Sequence, residues 1–70
     1  MKDFYDLDEW KQVELLTLLL ERVAENNVWS LEALAELENR TPDSIWLELC
    51  KNCGAEPCSI PVRIMREGHA

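Results

Sequence analysis

Three cysteines and one histidine near the carboxyl end are the residues best suited to chemistry. Cys50 and Cys53 enclose two residues and precede Gly54, which is the spacing of a zinc knuckle, and Cys58 and His69 would complete four ligands. A second CxxC pair is missing from the sequence, and His69 is expected to fray. We therefore favour Cys50 and Cys53 as small apolar residues on the last turns of a helix. Cys58 is then a candidate reactive thiol in an exposed loop, and no metal or other cofactor is expected.

The remaining side chains do not form a catalytic pattern. The one histidine is too close to the end of the sequence for a credible pairing with a serine or cysteine nucleophile. Carboxylates are plentiful, but they fall on helix faces that we expect to be solvated, without a glycine-rich loop beside them. Seventy residues make at most one domain and rarely enclose a ligand cavity. We expect a protein that is not an enzyme.

The charge of the chain is strongly negative. Fourteen acidic residues stand against seven basic ones, for a net charge of −7, and the acidic excess lies in residues 1–50. This charge opposes attraction to a phosphate backbone. The sequence has neither a recognisable secretory signal nor an apolar run long enough to span a membrane, and its cysteine count is odd. These features predict a cytoplasmic protein.

The apolar spacing predicts a first helix from Leu7 or Asp8 to Glu25. A turn of about 100° per residue gathers most of its apolar side chains on one broad face. This expected inner face comprises Val13, Leu16, Leu19, Leu20, Val23 and Ala24. Leu15 falls at its edge, and Leu18 falls among the charged residues opposite.

This spread of apolar residues past one face predicts that the first helix is covered on more than one side. A chain of 70 residues has too little protein to cover both sides, so we expect a second subunit or a partner. The 3-4-3 spacing of Val13, Leu16, Leu20 and Val23 suits a pair of helices. We therefore predict a homodimer.

Two shorter helices are expected next. The second begins after Ser30, a good N-cap, and runs to about Asn39. The third begins with Thr41 as cap and Pro42 in the first position, and it stops at Gly54. The expected inner residues of the two helices are Leu31, Leu34, Ala35 and Leu37, then Ile45, Trp46, Leu49 and Cys53.

The last residues differ in kind. Ile60, Val62 and Ile64 alternate with other residues as in a strand, and Pro61 would confine that strand to an edge. We favour an extended tail packed on the helices over a strand paired with a second copy or with another protein. The fold prediction is an all-α, three-helix domain over residues 1–54 with an extended C-terminal tail over 55–70.

Residues 30–49 have the spacing of a helix-turn-helix. Ala35 is small where two helices would cross, Asn39 tolerates a positive φ four places later, and Ile45 is branched and apolar ten places later. This segment resembles the helix-turn-helix of Myb/SANT-like domains, and the resemblance extends loosely over residues 8–52. It implies a trihelical fold, with Trp10 and Trp29 at core positions and a third helix that reads DNA.

The exposed side chains of that third helix do not suit DNA. Families of this type present Arg, Lys, Asn or Gln there, whereas this sequence has Trp46, Leu47 and Glu48 after Ile45. Sequence-specific DNA binding as a dimer stays as the alternative. Its contact residues would be Arg40, Ser44, Lys51, Arg63 and Arg66.

The leading hypothesis is a non-enzymatic regulatory or accessory protein that binds a host or regulatory protein. Its apolar anchors would stand within an acidic rim, with Trp46 alternatively part of the core. The predicted anchors are Leu15, Leu18, Trp46 and Leu47. In size and charge the chain is also similar to small acidic accessory proteins of temperate bacteriophages.

Overall fold

A computed structural model describes residues 2–61 of the protein, which form three helices within 28 × 24 × 19 Å. A short 3-10 helix, Phe4–Asp6, precedes α1 (Glu9–Glu25), α2 (Leu31–Glu38) and α3 (Pro42–Cys53). No strand occurs between residues 2 and 61, so the predicted all-α, three-helix class is confirmed. None of the described helices is long and apolar enough to cross a membrane.

Side chains fix the starts of α2 and α3 as the sequence predicted. The Ser30 hydroxyl accepts a hydrogen bond from the Ala33 amide at 3.1 Å. The Thr41 hydroxyl accepts one from the Ser44 amide at 3.2 Å, and Pro42 occupies the first helical position. Each cap satisfies an amide that has no partner within its helix, which is typically worth about 1 kcal/mol.

The turn between α2 and α3 depends on Asn39, whose φ of 58° is left-handed. This conformation lets the Arg40 amide donate to the Ala35 carbonyl at 2.9 Å, which closes the end of α2. Ala35 and Ile45 are 3% and 0% exposed. The expectations for these turn and core positions are confirmed, whereas membership of a helix-turn-helix family stays a prediction.

The core draws on all three helices, but α1 faces it with a different side from the one expected. Leu15, Leu19 and Val23 are its buried residues, and they lie on one line at a spacing of four. Val13 and Leu20, which we expected inside, are 60% and 64% exposed. The buried face is therefore rotated around α1, because its direction is set by where α2 and α3 pack.

Two extended segments, residues 2–3 and 55–61, lie side by side. A parallel bridge joins Lys2 to Cys58, and the Ser59 amide donates to the Lys2 carbonyl at 2.8 Å. Trp46 lies beneath them, because its Nε1–H donates to the Cys58 carbonyl at 2.9 Å and its ring is 5.9 Å from that of Phe4. The favoured prediction of a tail packed on the helices is thus confirmed as far as residue 61. Predictions for Val62, Arg63, Ile64, Arg66 and His69 lie outside the described residues.

Candidate functional site

Two of the four predicted interface residues lie in the core. Leu15 is 0% and Trp46 1% exposed, so the assignment of Leu15 as an anchor was wrong, and of the two positions considered for Trp46 the core is confirmed. The rotation of α1 buries Leu15, and the extended segments cover Trp46. Leu18 is partly buried against the core, and Leu47 keeps 42% exposure on α3.

The large apolar side chains that do reach solvent are mostly others. Trp10 and Trp29, expected in the core, are 63% and 80% exposed, which corrects that expectation. Leu37, expected on the inner side of α2, is also exposed. The complete set in the described chain is Tyr5, Trp10, Val13, Leu20, Trp29, Leu37 and Leu47.

An apolar groove lies between α1 and the start of α2. Its volume is about 120 Å³, slightly less than the roughly 150 Å³ of a cavity known to hold benzene, so it suits one branched apolar side chain. Exposed Leu20 and Trp29 form its rims, since both line it and both reach solvent. The full lining is Leu16, Leu19, Leu20, Val23, Trp29, Ser30 and Leu31.

The loop after α1 builds the second wall of this groove. Asn27 has a φ of 56°, and the Val28 amide donates back to the Val23 carbonyl at 3.1 Å. The chain therefore turns sharply at the end of α1, and partly buried Val28 packs against the core. Trp29, the next residue, is left at the surface beside Leu20.

The groove continues into an apolar row along α1. Val13, Leu16 and Leu20 follow one another at spacings of three and four, which places them on one side of a helix. Trp10 precedes Val13 by three residues and extends the row toward the start of α1. We call the groove and this row together the α1 apolar surface. Its four most exposed side chains present on the order of 500 Å² of largely apolar surface, at the upper end for a typical monomer.

Acidic side chains border the α1 apolar surface. Glu14, Glu21 and Glu25 are exposed and form a ridge about a third of a turn from Val13, Leu16 and Leu20. Glu32, also exposed, follows Leu31 of the groove lining on α2. The field at the border of this surface is therefore negative.

The two basic residues of α1 are turned toward α3. Lys11 Nζ donates to the Cys53 carbonyl at 2.7 Å and lies 4.4 Å from the centre of the Trp10 ring. Arg22 Nη1 lies 3.0 Å from Glu48 Oε2. Lys11 Nζ also pairs with Glu14 Oε1 at 3.1 Å, so Glu14 is compensated. Among the described residues, Glu21, Glu25 and Glu32 make no ion pair and keep the border negative.

A four-residue ion-pair network joins the helices. Arg22 pairs with Glu38 and Glu48, and Arg40 pairs with the same two carboxylates, at distances of 2.8–3.3 Å. Hydrogen bonds from Arg40, and then from Arg22, lower the pKa of Glu48. Because the network connects α1, α2, the turn and α3, its evident role is to hold the three helices together.

The residues predicted for DNA contact are only partly at the surface. Arg40 Nε donates to the Ser44 hydroxyl at 3.1 Å and Arg40 Nη2 to the Ser44 carbonyl at 3.1 Å, so each satisfies the other. Lys51 is exposed on α3. Arg63 and Arg66 lie outside the described residues. Among the described residues predicted to contact DNA, Lys51 is therefore the one basic side chain that is exposed, whereas Arg40 is held by Ser44.

The three cysteines are buried, which corrects the expectation of an exposed thiol at Cys58. Cys50, Cys53 and Cys58 are 1%, 9% and 1% exposed, and each is a free thiol. Burial, and then the neighbouring Cys58, raises the pKa of the Cys50 thiol to about 12. This favours the protonated thiol, whereas a metal binds the thiolate. Within residues 2–61 no group of histidine, cysteine or acidic side chains is arranged to hold a metal ion.

Sequence reasoning missed the groove because its floor and rims are separated in the chain. The signal that could have found it was the excess of apolar residues on α1 together with Trp29 directly before a helix cap. Comparison with family models, with curated proteins and with solved structures found no match to this chain.

Proposed function

We propose that the protein is a small, non-enzymatic accessory protein that acts by binding another protein through the α1 apolar surface. The observation that carries this proposal is the open apolar groove between Leu20 and Trp29. Exposed aromatic and aliphatic side chains around a pocket are typical of the centre of a protein interface.

The described core satisfies its own polar groups. Its buried side chains include no polar or charged residue, and no buried side-chain nitrogen or oxygen lacks a hydrogen bond. The exposed side chains of Leu20 and Trp29 contribute little to the free energy of folding, because an apolar side chain stabilises a fold when folding removes it from water. A binding role accounts for them.

The distribution of cations favours a protein partner over DNA. A DNA-binding surface needs several Lys or Arg side chains directed at phosphates. Arg22 and Arg40 are occupied by Glu38 and Glu48, and Lys11 is directed at the end of α3. The predicted homodimer stays a competing occupant of the α1 apolar surface.

The test is site-specific photo-crosslinking in cells that make the protein. A benzophenone amino acid replaces Leu20 at the groove, and a second variant carries it at Leu37, which is also exposed but is not part of the groove lining. We expect a discrete protein adduct from position 20 and none from position 37. Adducts to nucleic acid, or equal labelling from both positions, would contradict the proposal.

A further inference from the structure

We infer that the partner segment bound by the α1 apolar surface is a basic amphipathic helix of another protein. This inference rests on the proposed function and adds the chemistry of the partner.

The shape suits a helix. Trp10, Val13, Leu16 and Leu20 form a row that extends about 15 Å along α1, the length of about three helical turns. A second helix lying beside this row would present apolar residues at spacings of three, four and seven, as helices bound in grooves do. The groove at the Leu20 end would take one of these side chains between Leu20 and Trp29.

The charge selects a basic helix. Glu21 and Glu25 are exposed on α1, and exposed Glu32 follows Leu31 of the groove lining on α2; none of the three makes an ion pair among the described residues. Lys and Arg side chains flanking the apolar face of a bound helix would meet these carboxylates, which accelerates association and orients the helix. The stems of Lys and Arg would also cover the edges of Trp10 and Trp29.

A second copy of this chain fits the surface less well. Pairing two copies would bring together two surfaces of like sign, in a chain whose net charge is −7. An acidic border likewise repels an anionic lipid surface.

The test uses three synthetic helical peptides that share one apolar face of leucines. Their polar faces carry lysine, glutamine or glutamate, and binding to the full chain is measured by fluorescence anisotropy at about 50 and 300 mM NaCl. We expect the lysine peptide to bind at least about tenfold more tightly than the glutamate peptide at low salt, with the advantage shrinking at high salt. A lysine peptide with its leucines scrambled should bind at least about tenfold more weakly, which separates docking from simple charge attraction.

Variants locate the site. Leu20→Asp should weaken binding of the lysine peptide by about tenfold or more, since it places a charge in the groove. Leu37→Asp, an exposed apolar position that does not line the groove, should change it by less than about twofold, and circular dichroism confirms that both variants fold.

Three outcomes overturn the inference. Equal binding of the lysine and glutamine peptides at low salt would show that the partner need not be basic, and the proposed function would stand. A dimer in sedimentation that Leu20→Asp dissociates would identify a second copy as the occupant. Failure of every peptide to bind would refute a helical partner, and the crosslinks from position 20 then decide the proposed function independently.

Discussion

The contrast between Trp46 and Trp29 provides the most direct test of the structure. Trp46 is 1% exposed and donates a hydrogen bond to the Cys58 carbonyl, whereas Trp29 is 80% exposed at the groove. We predict that Trp46→Phe lowers the free energy of unfolding by about 2–4 kcal/mol and that Trp29→Phe changes it by less than about 0.5 kcal/mol.

The magnitude for Trp46 comes from two losses. Replacing indole by phenyl removes part of a buried ring and leaves space against Phe4, which costs on the order of 1 kcal/mol. Removing Nε1–H deprives the Cys58 carbonyl of this donor in a buried position, which costs about 1–3 kcal/mol more. A domain of this size has a total of roughly 4–10 kcal/mol, so the variant should still fold at low temperature.

Urea unfolding followed by circular dichroism at 222 nm measures this difference without relying on tryptophan fluorescence. The urea midpoint should fall for Trp46→Phe, with a slope close to that of the unsubstituted protein. Trp29→Phe is the matched control, because it makes the same chemical change at the surface. A stable Trp46→Phe together with a Trp29→Phe that loses more than about 1 kcal/mol would refute the assignment of core and groove.

Three further predictions concern the ion pairs, the thiols and the turn. The pKa of Glu48 is lower in the folded than in the unfolded chain, so its stabilisation is complete well above its ordinary pKa of 4.5 and is lost as the pH falls through the folded value. Glu48→Gln should therefore flatten the acid limb of the curve of unfolding free energy against pH. The change should be less than about 1 kcal/mol, because the ion pairs of Glu48 are partly exposed. An acid limb that Glu48→Gln leaves unchanged would contradict the role of these ion pairs. Because the pKa of Cys50 is about 12, iodoacetamide at about pH 8 should label Cys50 at least about a thousandfold more slowly in the folded than in the urea-unfolded protein. Mass spectrometry of the labelled peptides measures the two rates, and equal rates would contradict the burial of Cys50. Asn39→Ala should cost about 1 kcal/mol and Asn39→Gly much less in thermal unfolding, because φ is 58° there; the reverse order would contradict a left-handed turn.

The helix boundaries could be predicted because their signals are local. Ser30, Thr41 with Pro42, Asn39 and Gly54 each act on amides or carbonyls within a few residues. The structure places the ends of α2 and α3 within about two residues of the predicted ends, which is the usual uncertainty in the position of a helix terminus.

The site could not be predicted because α1 is apolar around too much of its circumference. Spacing alone could not show whether the line of Leu15, Leu19 and Val23 or the row of Val13, Leu16 and Leu20 faces the core. That choice depends on the packing of α2 and α3, which is not encoded within α1. The same uncertainty led to the wrong assignment of Leu15 as an anchor.

Trp46 was uncertain for a related reason. Its position on α3 was compatible with core or surface, and the segment that covers it follows twelve residues later at Cys58. The pairing of Cys58 with Lys2 joins residues that are far apart in the chain, and no sequence periodicity reports such a contact.

The pairing of Lys2 and Ser59 also bears on how the protein is made. A ribosome delivers the amino end first, so Phe4 emerges long before the segment that will lie beside it. A nascent chain that ends at Cys53 already contains α1, α2 and α3, yet its Trp46 indole lacks the Cys58 acceptor and the Lys2 carbonyl lacks the Ser59 donor. Closing this contact joins nearly the whole described length, which is slow relative to the formation of single helices. The final core is therefore completed only when residues 58 and 59 have left the ribosome, and until then Phe4 lacks the segment that lies beside it in the folded protein.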